Sequence, residues 1–355
     1  MKPPFHADHV GSLLRPPELV AARKAKAANL REIEDRAIRA AVARQEAIGL
    51  QAVTDGEFRR DYWHLDFMRQ LDGVTLKAAV GMTFSAEDVP PMATVTGKVG
   101  CSQPIMVDHF RFVKGTAKHT AKFCMPSPGS LHFRGGRNAI SREVYPDLEE
   151  FWADAGAAWS RAIRNLGEAG CTYLQLDDVG FSYLCDPKVR ENFRANGDDP
   201  AGVQFTYAQA INRALQERPK GMTVTMHTCR GNFRSTWFAA GGYQEEVLDG
   251  MFSADVDGFF MEYDSERAGG FEPLRKLPKG KNVVLGLVTT KSGALEPKES
   301  LKKRIDEASR YVPLENLRLS PQCGFSSTHH GNRLTEEEQW RKLERVVEVA
   351  REVWG

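Results

Sequence analysis

The sequence has no long hydrophobic run: no uninterrupted apolar stretch approaches the roughly 20 residues that a membrane-spanning helix needs. It has no surplus of either charge. Lys and Arg total 48 against 47 Asp and Glu, a net charge of +1, which argues against a surface built to grip nucleic acid or an anionic membrane. The opening MKPPFHADHVGS lacks the apolar core of a secretory signal, so a cytoplasmic protein is expected. Cysteine is sparse. Six (Cys101, Cys124, Cys171, Cys185, Cys229, Cys323) are scattered over 355 residues with no close pairs. A chain this long buries a core without disulfide staples, so reduced thiols are expected and a special cysteine is catalytic or metal-bound. There is no Pro-, Gly- or Ser-rich linker, no low-complexity segment and no short repeat.

What is present is alternation. Short apolar or β-branched runs at 7–12, 51–55, 121–126, 172–177, 222–227, 257–262, 282–289 and 316–322 read as eight strands, most with the density expected of strands buried on both faces. Helical periodicity separates them at 31–48, 149–169, 203–217, 298–311 and 335–353. Gly170 is placed to end the second of these helices, and Thr335 with Glu338 is a capping-box pair opening the last. Eight such units predict an α/β fold of the closed (β/α)8 TIM-barrel type. Residues 13–30 read as an N-terminal excursion, and 74–118, with ATVTGKVG at 93–100, as a hairpin inserted after the second strand. One catalytic barrel over 1–355 is the expected domain organisation. An open doubly wound sheet is the rival, but no glycine-rich phosphate fingerprint follows the first strand.

In such a barrel the chemistry sits at the C-terminal strand ends. Ser12, Asp55-Gly56-Glu57, Asp177-Asp178, His227-Thr228-Cys229, Glu262 and Cys323-Gly324 all fall there. In His227-x-Cys229 the strand period of two puts both side chains on one side. One imidazole, two thiols and one carboxylate (His227, Cys229, Glu262, Cys323) suit tetrahedral zinc. The ordinary alternative makes Cys323 a small buried hydrophobe and His227 a hydrogen-bonded core residue. Two thiols favour alkyl transfer to sulfur over the histidine-dominated sites that activate water. Glu57 and Asp177 are candidate acceptors for a substrate ammonium, with Ser12 and its backbone for a carboxylate; a solvated or helix-capping role is the alternative for each acid. Asp178 stays ambiguous, His9, His329 and His330 are unassigned, and the other four cysteines are read as packing residues.

The segments DHVGSLLRP (8–16), TDGEF (54–58), YLQLDD (173–178), MHTCRGNFRSTW (226–237), FFMEYD (259–264), LGLVTTKSGALE (285–296) and LSPQCGFSS (319–327) resemble the cobalamin-independent methionine synthase family. The likeness spans almost the whole chain and is greatest to a short, single-barrel branch equivalent to the catalytic half of the full-length enzymes. It implies a methyltransferase that needs Zn2+, held by His227, Cys229, Glu262 and Cys323. It also implies homocysteine as acceptor, held through Ser12, Glu57 and Asp177, and methionine as product. The donor side differs. His132 and Phe133 stand where the family has a pterin-stacking tryptophan, Tyr183 where it has an acidic folate contact, and Lys291 where it has a proton-donating histidine. The resemblance therefore leaves the donor as either a methylated folate or a methylcorrinoid, with Tyr183 and Lys291 as the residues facing it. Two alternatives are a zinc alkyltransferase acting on another thiol, of the coenzyme M and epoxide type, and a non-catalytic zinc barrel that binds an amino acid or thiol. No nucleic-acid or membrane partner is expected, and a homo-oligomer is left open.

Overall fold

The computed structural model describes residues 2–78, 90–239 and 241–355. Nine strands are present among them: β1 (Ala52–Val53), β2 (Asp72–Lys77), β3 (Met92–Gly100), β4 (Thr120–Pro126), β5 (Tyr173–Asp178), β6 (Thr223–Thr228), β7 (Gly258–Glu262), β8 (Asn282–Val288) and β9 (Leu317–Pro321). Seven form one parallel sheet in the order β1-β4-β5-β6-β7-β8-β9. The order follows the chain without reversal, as in a singly wound barrel; a doubly wound sheet would turn back on itself. β2 and β3 pair antiparallel as the inserted hairpin, placed after the second barrel strand as expected. The connection at 79–89 within the expected insertion lies outside the described residues.

The expected first strand, 7–12, forms no ladder. Ala7 makes a single parallel bridge to Leu319, with Asp8 N donating to Leu319 O at 3.0 Å and Leu319 N to His6 O at 2.9 Å. Beyond that point the carbonyls go to side chains: Val10 O accepts from Cys124 Sγ (3.1 Å) and Gln175 Nε2 (2.7 Å), and Gly11 O from Thr54 Oγ1 (2.6 Å). Gly11 adopts φ 139°, and a Cβ there would lie 2.7 Å from Cys124 Sγ. The segment thus closes the barrel between β9 and β1 as a stave tied by side chains. Apolar patterning cannot reveal a strand whose bonds are made that way. The expected second strand, 51–55, is likewise reduced to the two residues of β1.

Parity fills the barrel. Lys122, Tyr173 and Asp8 meet at its floor, with Lys122 Nζ 3.0 Å from Asp8 Oδ1 and the Tyr173 hydroxyl donating to Asp8 Oδ2 at 2.8 Å. Above them Val10, Phe260 and Val284 form a small apolar cluster. Two residues further along β5, β6 and β7 the same parity delivers Asp177, His227 and Glu262 to the top. The opposite parity, Leu174, Leu176, Val224 and Met226 among it, packs outward into the main core with helices such as Leu148–Glu168 and Pro200–Leu215. The last helix, Glu336–Trp354, opens on the Thr335/Glu338 capping box read from the sequence. The excursion at 13–30 contains the helix Pro17–Lys24, and the next helix is Leu30–Ile48. Among the described residues no helix is long and apolar enough to cross a membrane.

Candidate active site

The ligand atoms of His227, Cys229, Glu262 and Cys323 all lie within 4.8 Å of one another. His227 is in the last turn of β6, and Cys229 N donates to Asp178 O at 2.9 Å, extending the strand far enough to keep both side chains on one side. Glu262 ends β7, its backbone N–H donating to the Tyr243 hydroxyl at 3.0 Å and its Oε1 accepting from Arg230 N at 3.1 Å. Cys323 follows β9, its loop fixed by Gln322 N donating to Val288 O at 2.8 Å. The two sulfurs are 3.4 Å apart. Four ligands at roughly 2.0–2.3 Å from one ion have tetrahedral edges of about 3.3–3.8 Å. The sulfur pair meets that spacing, and Glu262 Oε2, buried with no hydrogen-bond partner among the described residues, is an acceptor left for an ion. The donor set therefore fits zinc.

Electrostatics are those of a site that wants a cation. Burial pushes the Glu262 carboxyl up to about 7, against the pull of Lys291. Burial opposes a charged His227, but Asp177 and Cys323 outweigh it and raise the imidazole to about 10. Cys323, hydrogen-bonded by the Cys229 thiol and facing His227, is driven well below the ordinary thiol range despite its burial, while Cys229 is driven up.

Next to this cluster stands an acid pair. Ligand atoms of Glu57, Asp177 and Cys124 also lie within 4.8 Å of one another. Asp177 Oδ1 accepts from Gln175 Nε2 at 2.7 Å and lies 3.2 Å from His227 Nδ1, so it touches both clusters. Glu57 occupies a left-handed backbone position, φ 60°, after Gly56 at φ 64°, in a turn held by Asp55 Oδ1 accepting from Glu57 N at 2.9 Å. A non-glycine residue in that region is strained, and such strain concentrates at functional sites. Burial, with Asp177 and Asp55 nearby, pushes the Glu57 carboxyl up to about 8 although Arg60 stands 3.6 Å away. Glu57 Oε2 has no hydrogen-bond partner among the described residues. Ser12 lies against the other rim: its Oγ accepts from Ser326 N at 3.3 Å, and a Cβ at Gly324 would come within 2.0 Å of it.

One pocket joins these groups. Ser12, Glu57, Asp177, Tyr183, His227, Cys229 and Cys323 all line it. Lys291 does not; its Nζ donates to Gly231 O at 3.1 Å and Asn232 Oδ1 at 3.3 Å, bracing the loop after β6. Asp178 lines the pocket but is consumed locally, accepting from Ser127 Oγ and from Phe181 N at 3.1 Å. His132 turns into the core, its ring on the Tyr207 hydroxyl (2.9 Å) and Asp198 (3.3 Å), whereas Phe133 lines the pocket edge-on to Tyr183. Sequence reasoning missed Tyr62, Trp63, His64, Arg134 and Phe238. Tyr62–His64 begin four positions after the end of the TDGEF segment (54–58), and that proximity was the available signal.

Residues 16–352 match the family model described as the catalytic domain of cobalamin-independent synthases. Two uncharacterized Bacillus subtilis proteins, YxjH and YxjG, are 46% and 45% identical, each alignment covering 99% of this chain and 96% of the relative. A crystal structure titled as the putative vitamin-B12 independent methionine synthase of Listeria monocytogenes superposes with TM-score 0.81 at 39% identity, covering 100% of this chain and 99% of that one. A methionine synthase of Pyrococcus abyssi is 23% identical over 81% of this chain and 74% of its own length. The chain belongs to the cobalamin-independent methionine synthase family, as the quoted segments implied. It is a methyltransferase built on a TIM-like barrel, and the reading as a non-catalytic barrel falls away.

Proposed function

We propose that this chain is a single catalytic domain that methylates homocysteine to methionine, with zinc held by His227, Cys229, Glu262 and Cys323. The observation that carries the reading is the contiguity of the four-ligand cluster with the Glu57/Asp177 acid pair, joined through Asp177. Zinc, when bound, is a Lewis acid that deprotonates a coordinating thiol, and the thiolate is the nucleophile. The chain's own residues do the rest. Glu57 and Asp177 accept the substrate ammonium, which supplies the charge that burial leaves wanting at Glu57. Ser12 and its backbone hold the carboxylate. Asp177, against His227 Nδ1, orients the imidazole so that Nε2, which lies 3.3 Å from Gln322 O, would be the ligating atom.

The acid pair favours an amino-acid thiol over a thiol such as coenzyme M, which carries no ammonium and would leave two buried carboxylates facing each other. Relatives named methionine synthase point the same way. On the donor side Tyr183 stacks on Phe238 (centroids 4.7 Å apart) in place of a folate-binding acid. Lys291 is tied to two acceptors on a neighbouring loop. Both features favour a donor whose leaving group needs no proton, such as a methylcorrinoid, over a polyglutamyl folate, whose departing nitrogen must be protonated. The test is turnover of homocysteine by the zinc-loaded protein with methylcobalamin, methyltetrahydrofolate and its triglutamate. Methionine formed with methylcobalamin, and insensitive to Lys291→Ala, is the expected result. Efficient turnover of the triglutamate, abolished by Lys291→Ala, would reverse the donor assignment and make Lys291 the proton source.

A further inference from the structure

The two cysteines of the four-ligand cluster come from strands that are not neighbours. β6 and β9 are separated in the sheet by β7 and β8, so no ladder hydrogen bond sets the distance between Cys229 and Cys323. Their sulfurs nonetheless lie 3.4 Å apart. One tie between the two strand ends is Gln322 O against His227 Nε2 at 3.3 Å, but that nitrogen is the one an ion would claim. A tie that survives ion binding has to use other atoms.

Asn232 supplies it. The residue stands three positions after Cys229, buried and lining the pocket. Its Nδ2 donates to the carbonyl of Gly324, the residue after Cys323, at 2.7 Å, and to Thr290 Oγ1 in the loop after β8 at 3.3 Å. Its Oδ1 accepts from Asn332 Nδ2 at 3.0 Å and from Lys291 Nζ at 3.3 Å. A primary amide has two N–H donors and two acceptor lone pairs, and all four are used. The flanks admit one orientation of the amide, since an ammonium must face its oxygen and a carbonyl its nitrogen.

The surroundings reinforce this clasp. Gly231 N donates to Cys229 Sγ at 3.3 Å, and Gly231 O accepts from Lys291 Nζ at 3.1 Å. Thr290 N donates to Gln322 Oε1 at 2.6 Å, and Thr290 O accepts from Asn332 Nδ2 at 2.9 Å. Just beyond, Arg234 and Ser235 take successive left-handed conformations, φ 48° and 66°, with Ser235 N donating to Asn332 Oδ1 at 2.9 Å. Such strain persists only where the surrounding bonds over-determine the backbone.

We propose that Asn232 is a positioning residue for the metal centre: its side-chain amide clasps the loops after β6, β8 and β9 and so fixes the separation of the Cys229 and Cys323 sulfurs. The proposal rests on the four-ligand reading above. It gives the amide a role beyond packing, because the spacing of the two thiolates sets how tightly the ion is held. Lys291 supplies one of two donors to Oδ1, so its loss leaves Asn332 in place and the clasp closed.

Asn232→Asp is the discriminating variant. It keeps the shape and the acceptor toward Lys291 and Asn332, but it turns a carboxylate oxygen toward Gly324 O and severs the link to the Cys323 loop. Chelator competition on the full chain should show zinc held about 10–100-fold more weakly than in wild type, the range for outer-shell partners of metal ligands. The cobalt(II)-substituted variant should show weakened thiolate-to-metal charge-transfer absorption, a signature that a loss of packing alone does not move. Zinc held as tightly as in wild type, or weaker binding with the cobalt absorption unchanged, overturns the inference, whatever the melting temperature. Where Asn232→Asp gives no folded protein, Asn332→Ala decides instead: that side chain is half-buried, and its loss removes one bond to Asn232 Oδ1 and the hold on Ser235. A measurable loss of zinc affinity in Asn332→Ala supports the inference, and wild-type affinity overturns it. A wild-type protein that takes up neither zinc nor cobalt removes the four-ligand reading itself, and the inference with it.

Discussion

The two halves of the pocket are built by different means. The acceptor half sits on strand ends: Asp177, His227 and Glu262 are strand residues, and Cys229 and Cys323 follow their strands by one and two positions. Each side chain there is aimed by the pleat, and most are tied to another member of the site. The aromatic half, with Trp63, His64, Phe133, Arg134 and Phe238, sits on the loops after β1, β4 and β6. Its groups pack face to face and edge to face, and one buried polar atom, His64 Nδ1, has no hydrogen-bond partner among the described residues. A strand-built half carrying the four-ligand cluster and the acid pair thus stands beside a loop-built half of aromatic rings, and the proposed reading gives the first to the acceptor and the second to the donor.

The sharpest way to break that contrast is to remove a ligand. Outer-shell partners of metal ligands are worth 10–100-fold in affinity or activity, so Cys229→Ala or Cys323→Ala should cost more than roughly 100-fold in both. Elemental analysis of the purified variants reads the metal, and a double variant that keeps a full complement would remove the metal centre from the account.

A smaller effect, confined to recognition, is expected at the acid pair. Leaving one member of a buried charge pair unpaired costs about 2–5 kcal/mol. Glu57→Gln and Asp177→Asn should therefore weaken homocysteine by on the order of 100-fold, while a simple alkane thiol without an amino group loses little. Equal losses for both thiols would make these acids structural.

The smallest effect is a pH dependence. Burial raises the Glu57 carboxyl to about 8, so below that pH the acid is protonated and offers no charge to an ammonium. Binding of the ammonium pulls its pKa down and releases a proton. The affinity for methionine, which has no thiol proton to confuse the count, should rise with pH by up to about tenfold per unit and level off above about 8. Glu57→Gln should flatten the profile. Stability carries the opposite sign: between the unfolded carboxylate range and about 8 the native state binds the extra proton, so this group makes the fold less stable as pH rises.

The same division explains what could be read from the chain. β4 to β9 were legible to within a residue or two at either end because apolar runs buried on both faces announce themselves. With their ends known, the period of two placed His227 and Cys229 together. The first stave was legible only as an extended segment, because Val10 and Gly11 give their carbonyls to Cys124, Gln175 and Thr54 and not to a neighbouring strand. The aromatic half was not legible. Whether His132 or Phe133 faces the pocket is decided by the 3-10 turn Pro128–Leu131 just before them, and periodicity says nothing about that.

The central claim, that the four-ligand cluster holds zinc beside a site for an amino-acid thiol, is tested most directly by X-ray absorption at the zinc edge, with and without homocysteine. The account predicts two sulfur ligands at about 2.3 Å in the resting protein and a third when homocysteine is added. The third should be lost in Glu57→Gln at the same ligand concentration. A protein without zinc, or a zinc shell of two sulfurs that does not change at saturating homocysteine, would contradict it.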